Sequence, residues 1–449
     1  MDQRFDTIAA VATPPGKGGV GIVRISGPDV PGMARILCGD LPEPRRATVC
    51  VFRDAQNATI DQGLALYFPE PHSFTGEHIL EIHGHGGPVV QDMLLTRTME
   101  LGARPARPGE FSERAFLNDK LDLLQAEAVA DLIAATTAQA AHAAVRSLQG
   151  EFSERIKQLL ERLIQLRAYV EAALDFPEEE IDFLADATIA KGLDNLDQEF
   201  QRLLAAARQG CLLRDGMTIV IAGRPNAGKS SLLNALAGSD RAIVTDIPGT
   251  TRDLLREYLA IDGMPMHVID TAGLHESENQ VEQEGVRRAW QAIQSADRIL
   301  LVTDDQVGFQ QADQDILSRL PAELSCTVIY NKIDLTNRRA GLVAEDPPAV
   351  ALSARTGAGL DALRAHLVQA VGYQEATAGD FTARRRHLEA LQRARQSVLS
   401  GRNQLDNNKA GELLAEELRQ AQLALNEITG EFTSDDLLGQ IFSSFCIGK

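Results

Sequence analysis

The residues of this sequence best suited to chemistry form a glycine-rich loop between an apolar run and a leucine-rich segment. Residues 223–230 read G-R-P-N-A-G-K-S, after the apolar run 217–222 and before residues 231–236. Glycines let backbone N–H groups surround a phosphate, Lys229 can reach the β- and γ-phosphates, and the Ser230 hydroxyl can hold Mg²⁺. This spacing predicts a strand, a phosphate-binding loop and a helix. The nucleotide-binding residues expected here are Asn226, Ala227, Gly228, Lys229, Ser230 and Ser231.

A second motif, D-T-A-G at residues 270–273, follows the apolar run 266–269. An aspartate at the end of a strand can hold Mg²⁺ through water, and the glycine amide of such a motif can contact a γ-phosphate. The motif therefore predicts the metal side of a nucleoside triphosphate site. Its residues are Asp270, Thr271, Ala272 and Gly273.

Two further motifs indicate which base the site recognises. Residues 331–334 read N-K-I-D after the apolar run 326–330, and a carboxylate there can accept hydrogen bonds from guanine N1–H and its exocyclic amine. Adenine lacks this pair of donors, so such a site selects guanine. Residues 353–355, after the apolar run 349–352, resemble a loop that offers a backbone N–H to guanine O6. Either motif alone could be a turn that ends a strand, but the ordered set predicts a GTPase. The residues expected to contact the nucleotide are Asn331, Lys332, Asp334, Ser353, Ala354 and Arg355.

The segment between the phosphate loop and D-T-A-G is where a first switch is expected. Thr251 is the candidate to add its hydroxyl to Mg²⁺ when GTP is bound, and the alternative is a threonine solvated in a polar loop. The nucleotide-binding residues expected in this segment are Thr245, Asp246, Ile247, Pro248, Gly249, Thr250 and Thr251.

Leu274 stands where many small GTPases carry a glutamine that orients the attacking water. An arginine finger raises the rate of GTP hydrolysis by roughly 10³–10⁵. Because Leu274 cannot orient water, another group must supply such help. The amide oxygen of Asn226 could hold K⁺ beside the β/γ-phosphates, with the carbonyls of Thr245 and Ile247 and the side chain of Thr250 completing the shell. The alternative for Asn226 is a turn residue that tolerates an unusual backbone angle.

A second candidate for catalytic help is Glu282, in the polar stretch 276–284 where the second switch is expected. Its carboxylate could align the attacking water. The alternative is a solvated surface charge.

Length and composition are those of a globular protein with several domains. The chain has 449 residues and a net charge of −19, and no long segment of it is basic. This charge argues against a large nucleic-acid footprint. Five cysteines, odd in number and widely scattered, argue against a disulfide framework or a zinc cluster. We find neither a signal-peptide pattern nor a long apolar run, and therefore expect a cytoplasmic protein with no membrane segment.

Changes of pattern along the chain predict a multidomain fold. Residues 1–120 alternate short strands with Gly/Pro turns, which indicates an α+β domain, and residues 216–372 indicate an α/β P-loop GTPase domain. The flanks 121–215 and 373–449 have helical periodicity and no obvious separate cores. We therefore expect one discontinuous all-α helical domain with the GTPase domain inserted in it.

Two glycine-rich segments lie outside the expected GTPase domain. Residues 16–21 lack the Lys-Ser/Thr pair of a phosphate loop, so we expect a tight turn there. Residues 83–87 contain two histidines, but no cysteine or acid pattern supports a metal site, so we expect a polar glycine loop.

Long stretches of the chain also identify a family. A-T-P-P-G at residues 12–16, P-G-E-F-S-E-R-A-F-L-N-D-K-L-D at 108–122 and F-C-I-G-K at 445–449 resemble the bacterial tRNA-uridine modification GTPases called MnmE or TrmE. The resemblance includes the GTPase motifs and spans nearly the whole chain, without a departure at a motif position.

The resemblance implies that residues 1–120 dimerise and bind a tetrahydrofolate one-carbon donor, 5-formyl- or methylene-tetrahydrofolate. The anionic tail of folate suits cations, and the amine and N–H edge of the pterin suit a carboxylate such as Glu81. The positions that match the family's folate ligands are Arg24, Glu81, Lys120 and Lys449. The alternative is a set of salt bridges at a sheet edge. Cys446 matches a cysteine of the family, whose reactivity the sequence leaves open.

The resemblance also implies partners and a mode of activation. Family members work with an FAD- and NADH-using subunit, MnmG or GidA, and we expect a heterotetramer of that subunit with a homodimer of this chain. Together they add an aminomethyl or carboxymethylaminomethyl group to C5 of the wobble uridine of certain tRNAs. In the family, the GTPase domains pair across the dimer when GTP and K⁺ bind. The matching K⁺ positions are Asn226, Thr245, Ile247 and Thr250, and Glu282 matches the residue that positions water.

Two other functions remain open from the sequence. A ribosome-assembly GTPase would share the nucleotide motifs, although such proteins usually add a basic RNA-binding module. A non-catalytic GTP-sensing scaffold would also share them.

Overall fold

The structure, a computed structural model, describes residues 6–175, 187–238, 256–270, 296–319, 321, 324–373, 381–431, 435–443 and 445–448. The chain divides into two compact units. The first unit contains Met1–Ala130, Leu148–Leu196 and Arg393–Lys449, and the second contains Asp131–Ser147 and Asp197–Gln392. The domain boundaries expected from the sequence remain predictions.

The N-terminal part of the first unit is built on a six-stranded sheet with the order β3-β4-β5-β2-β1-β6. Its strands are antiparallel except for the pair β1–β6, and one face packs on α1 and α2 around the buried side chains of Phe52, Leu80 and Leu94. The expected α+β fold is confirmed. Its elements are β1 (Ile8–Val11), β2 (Gly18–Ser26), α1 (Val30–Cys38), β3 (Thr48–Arg53), β4 (Thr59–Phe68), β5 (Ile79–Gly86), α2 (Pro88–Glu100), β6 (Arg104–Pro105) and α3 (Glu110–Leu117).

The expectation of a turn at residues 16–21 and a loop at 83–87 is wrong for most of these residues, which lie in β2 and β5. The two glycine-rich segments pair with each other, with Gly18 opposite Gly86. A Cβ on Gly86 would lie 2.6 Å from the Gly18 carbonyl oxygen, and a Cβ on Gly21 would lie 2.4 Å from the Gln91 side chain. Gly21 and Gly86 therefore allow neighbouring segments to approach each other closely. The local sequence does not reveal this requirement.

The stretch 108–122 forms α3 and a buried ionic network. The Arg114 guanidinium, 7% exposed, contacts Asp6 at 2.6 Å, Glu77 at 3.0 Å and Glu110 at 3.2 Å. Burial raises the pKa of the Glu110 carboxyl, but hydrogen bonds and charges from Arg104 and Arg114 outweigh it, so the pKa lies below the usual value for glutamate. The E-x-x-x-R spacing thus ties α3 to the segment before β1 and to the loop before β5.

The chain before the GTPase region is helical, as expected. Its helices are α4 (Leu123–Ala134), α5 (Ala138–Leu148), α6 (Glu151–Asp175) and α7 (Ala187–Asp215). Thr137 caps α5, because its hydroxyl accepts a hydrogen bond from the Ala140 N–H at 3.1 Å.

The GTPase region contains a seven-stranded sheet with the order β12-β13-β11-β10-β7-β9-β8, in which β8 and β12 are antiparallel to their neighbours and the other strands are parallel. Helices α8 and α10 pack on one face and α9 on the other. Parallel strands buried on both faces require the continuous apolar runs seen here. The elements are β7 (Met217–Gly223), α8 (Lys229–Ala237), β8 (Arg256–Ile261), β9 (Met264–Asp270), β10 (Arg298–Asp304), α9 (Gln311–Ser318), β11 (Ser325–Asn331), β12 (Gly341–Val343), β13 (Ala349–Ala351) and α10 (Leu360–Ala370).

The chain returns to helices after this sheet, in α11 (Arg385–Asn408), α12 (Gly411–Thr429) and α13 (Asp435–Ser443). In the first unit, α12 packs on α6, and Arg167 donates a hydrogen bond to Gln422 at 2.5 Å. Helices from both sides of the GTPase region thus share one core, and the discontinuous helical domain is confirmed. None of the described helices combines the length and hydropathy that crossing a bilayer requires.

Candidate functional site

The glycine-rich loop joins β7 to α8, as the spacing predicts. Gly223 and Gly228 have φ values of 140° and 97°, which glycine adopts without strain. A Cβ on Gly228 would lie 2.2 Å from Nδ2 of Asn331, and one on Gly223 would lie 2.2 Å from the Val302 carbonyl oxygen. Both glycines are therefore required by backbone conformation and by close contact.

The first turn of α8 presents the groups expected to meet phosphate. Nζ of Lys229 donates to the carbonyl oxygens of Gly223 and Arg224 at 2.9 and 3.1 Å, which holds it against the loop. Ser230 and Ser231 are exposed on this turn. Because the first N–H groups of a helix have no partners within the helix, this end of α8 can bind an anion.

Asn331 joins the phosphate loop to both base-recognition motifs. Its side chain, on a residue only 2% exposed, donates to the Ala227 carbonyl oxygen at 3.0 Å. Its Oδ1 accepts hydrogen bonds from the backbone N–H groups of Ala354 at 3.0 Å and Lys332 at 2.8 Å. Segments about a hundred residues apart in sequence are therefore held together by one amide.

Asp334 is oriented by Ser353. The Ser353 hydroxyl donates to Oδ1 of Asp334 at 2.6 Å and accepts the Thr356 N–H at 3.2 Å. Asp334 and Arg355 are exposed, whereas Ser353 is buried. A carboxylate fixed at this edge of the sheet can accept the guanine donors, because ligands of open α/β sheets bind at the carboxyl ends of the strands.

Asp304 is a site residue that the sequence reasoning missed. Nζ of Lys332 lies 2.7 Å from Oδ2 of Asp304 and 2.7 Å from the main-chain oxygen of Asn226. Burial raises the pKa of the Asp304 carboxyl. The hydrogen bonds from Lys332 and from the Gln306 N–H lower it by more, so the pKa lies below the usual value for aspartate. The available signal was an acid two residues after the apolar run 299–302, in the strand before the one that carries Asn331.

Asn226 has a φ of 61°, in the left-handed region. The turn-residue alternative therefore describes its backbone correctly. Its side chain is exposed, and no described residue hydrogen bonds to its amide. The amide is thus available to a cation, so the two interpretations are compatible.

Part of the expected site lies outside the described residues. This applies to Thr245, Asp246, Ile247, Pro248, Gly249, Thr250, Thr251, Thr271, Ala272, Gly273, Leu274, Glu282 and Lys449. Asp270 is the last residue of β9, as expected of the D-T-A-G motif.

In the first unit, Arg24 and Glu81 lie opposite each other on β2 and β5. Nη2 and Nε of Arg24 donate to Oε1 of Glu81 at 2.7 and 2.9 Å, and the side chains are 19% and 17% exposed. His83 lies 3.2 Å from the other carboxylate oxygen. Burial raises the pKa of Glu81, but the charge and hydrogen bonds of Arg24 and the contact with His83 outweigh it and hold the pKa below normal.

Arg24 of this pair also contacts aromatic rings and the C-terminal segment of the chain. The guanidinium carbon of Arg24 lies 5.8 Å from the ring centroids of both Phe74 and Phe111. Its Nη1 donates to the Gly448 carbonyl oxygen at 3.3 Å. Lys120 is exposed, and its Cε lies 3.1 Å from the position that a Cβ on Gly76 would take. We call the pair, both rings and His83 the Arg24–Glu81 cluster.

The phosphate loop, the Asn331 amide and the oriented Asp334 carboxylate at one edge of a mainly parallel sheet define a P-loop GTPase domain. The family model described as the MnmE helical domain matches residues 123–446, and that described as the GTP-binding protein TrmE N-terminus matches residues 7–120. The chain belongs to the MnmE family of tRNA modification GTPases, and it is a GTP hydrolase.

Individual relatives agree with this assignment. The chain is 58% identical to "tRNA modification GTPase MnmE" of Marinobacter nauticus, with 100% of each chain covered. It is 61% identical to the protein of that name from Stutzerimonas stutzeri, with 99% of each covered. A crystal structure of an Aquifex aeolicus Era variant bound to GDP.AlF4- is 26% identical over 40% of this chain and 66% of that one, with a TM-score of 0.28.

Proposed function

We propose that this chain is a Mg²⁺-dependent, K⁺-activated GTPase that helps to modify C5 of the wobble uridine of certain tRNAs. It acts as a cytoplasmic homodimer, in a heterotetramer with an FAD-dependent MnmG/GidA-type subunit, and uses a tetrahydrofolate one-carbon donor to install an aminomethyl or carboxymethylaminomethyl group. The observation that carries the proposal is the joining of the phosphate loop to both guanine motifs through Asn331, in a chain whose full-length relatives are named tRNA modification GTPases.

Magnesium is held in this proposal by the hydroxyls of Ser230 and Thr251. The exposed position of Ser230 on the first turn of α8 suits this role. Mg²⁺ neutralises charge on the β- and γ-phosphates. The carboxylate of Glu282 aligns the attacking water, because Leu274 has no polar group to do so.

Potassium binds, in this proposal, to the Asn226 amide and to Thr245, Ile247 and Thr250. The exposed amide and the left-handed backbone of Asn226 support it. The cation supplies the positive charge that an arginine finger supplies in other GTPases.

Replacing K⁺ by Na⁺ should slow GTP hydrolysis by roughly ten-fold or more, because loss of one electrostatic group from such a site typically costs at least that much. Asn226→Gly should remove this response, since glycine keeps the positive φ but has no amide. The measurement is turnover of GTP in matched K⁺ and Na⁺ buffers, with GDP affinity as the control. If the glycine variant keeps the full K⁺ response, Asn226 is only a turn residue.

The Arg24–Glu81 cluster is the proposed folate site. A carboxylate beside aromatic rings suits the donor edge and flat face of a pterin, and cations suit the glutamate tail. The low exposure of the pair and the half-buried ring of Phe74, whose centroid lies 5.8 Å from the Arg24 guanidinium carbon, support this use. Lys120 and Lys449 complete the proposed ligand set.

The whole proposal is tested by tRNA nucleoside analysis of cells that lack this gene. Restoring the chain should restore the modified wobble uridine, whereas Arg24→Ala should leave it absent while GTP hydrolysis continues. The purified variant should bind 5-formyl-tetrahydrofolate at least about ten-fold more weakly, as expected for loss of a charge-assisted contact.

Arg35→Ala is the matched control, because Arg35 is an exposed arginine of the same domain. Unchanged tRNA nucleosides in the deletion strain would exclude the modification role. Normal folate binding by Arg24→Ala would exclude only the folate site.

A further inference from the structure

Lys332 bridges a carboxylate and the phosphate loop. Its ammonium lies 2.7 Å from Oδ2 of Asp304, at the end of β10, and 2.7 Å from the main-chain oxygen of Asn226. The Asp304 side chain is 18% exposed and that of Lys332 is 32% exposed, so both are partly shielded from water. An ammonium with two such acceptors makes stronger hydrogen bonds than neutral groups do.

The Asp304 carboxylate is itself held in one orientation. Its Oδ1 accepts the Gln306 N–H at 3.0 Å, and its main-chain oxygen accepts the N–H groups of Val307 at 3.0 Å and Gly308 at 2.9 Å. Asp304 also lies opposite Asn331 in the pairing of β10 with β11. Each carboxylate oxygen therefore has a partner, and the free rotation of an ordinary surface aspartate is lost.

The same turn has a second connection to the phosphate loop. Arg224 donates to the Gly308 carbonyl oxygen at 3.0 Å and forms an ion pair with the buried Asp313 at 3.1 Å. The turn after β10 thus contacts residues on both sides of Pro225, through Arg224 directly and through Lys332 to Asn226.

We propose that Asp304 is a positioning residue that holds Lys332 on Asn226, so that the guanine-recognition segment and the phosphate loop are ordered together. Binding of guanine at residues 331–334 then stabilises the left-handed conformation of Asn226, where the K⁺ ligand is proposed. The part of this inference that concerns K⁺ binding at Asn226 rests on the proposed function, whereas the link between base recognition and the phosphate loop does not.

Asp304→Asn tests the link, because the amide can still accept the Gln306 N–H but has no charge for Lys332. We expect GDP to bind about ten-fold more weakly, chiefly through faster dissociation, which is the loss typical of one charge-assisted hydrogen bond. The K⁺ concentration for half-maximal hydrolysis should rise. Asp315→Asn is the matched control, since it removes one negative charge from an exposed residue of α9.

A double-mutant cycle with Lys332→Met separates positioning from a general structural effect. If Asp304 acts through Lys332, adding Asp304→Asn to Lys332→Met should cause no further loss of GDP affinity. The inference is overturned if Asp304→Asn matches the Asp315→Asn control, or if its effect is undiminished in the Lys332→Met background. A wild-type enzyme indifferent to K⁺ would refute the cation site alone, because GDP affinity is measured independently of it.

Discussion

Asp334→Asn is expected to weaken GTP binding by roughly a hundred- to ten-thousand-fold, the loss of two hydrogen bonds to a charged acceptor. An asparagine amide places an N–H where the exocyclic amine of guanine also donates, so two donors face each other. Xanthine has a carbonyl oxygen at that position and can accept the hydrogen bond. The variant should therefore bind xanthosine triphosphate better than GTP.

The measurement is competition of GTP, xanthosine triphosphate and ATP for the purified variant. Ser353→Ala is the companion variant, because it removes the hydroxyl 2.6 Å from Asp334 without removing the carboxylate. It should lower GTP affinity by only about ten-fold, in line with one hydrogen bond to a charged group. Unchanged preference for GTP in Asp334→Asn would show that another residue selects the base.

Gly228→Ala is expected to reduce nucleotide affinity by at least about a hundred-fold, since the loop must shift to accept a side chain. Two separate penalties act at this position. The φ of 97° is unfavourable for any residue with a Cβ, and that Cβ would lie 2.2 Å from Nδ2 of Asn331. Moving Asn331 would also disturb its contacts with Ala227 and Ala354.

Gly372→Ala separates the two penalties. Gly372 has a φ of 66°, and a Cβ there would have no neighbour within 4 Å. It should therefore cost only about 1–2 kcal/mol of unfolding free energy, the usual cost of the left-handed conformation for a residue with a side chain, and leave GDP affinity unchanged. Titration calorimetry with GDP on both variants gives the comparison. Nucleotide binding by Gly228→Ala at the wild-type level would contradict the steric argument.

The nucleotide motifs show how much of the site local pattern can predict. Each motif follows an apolar strand, and parallel strands bring their carboxyl ends to one edge, so β7, β11 and β13 are positioned as expected. The pattern could not show that Asn331 contacts Ala227 and Ala354, since those hydrogen bonds depend on strand order. Asp304 was missed for the same reason: its partner Lys332 directly follows the neighbouring strand β11.

The glycines of β2 and β5 show where local pattern fails. Clusters of glycine usually mark turns, and this rule predicts a turn at residues 16–21 and a loop at residues 83–87. Gly18 and Gly86 instead face each other across a strand pair, and the 2.6 Å approach to the Gly18 carbonyl leaves no room for a side chain. The constraint on Gly86 comes from the other glycine-rich segment, and the constraint on Gly21 comes from Gln91 of α2.

The sequence by itself determined the domain classes, the nucleotide and base that the chain recognises, and the family, because these depend on residue types at fixed local spacing. Only the tertiary structure decided that Arg24 pairs with Glu81 and that Lys332 bridges Asp304 to Asn226. The physical reason is that apolar periodicity and turn residues report the local backbone. Contacts between distant side chains depend on the order and register of the strands. A local sequence pattern does not determine these, because the same pattern is compatible with different strand orders.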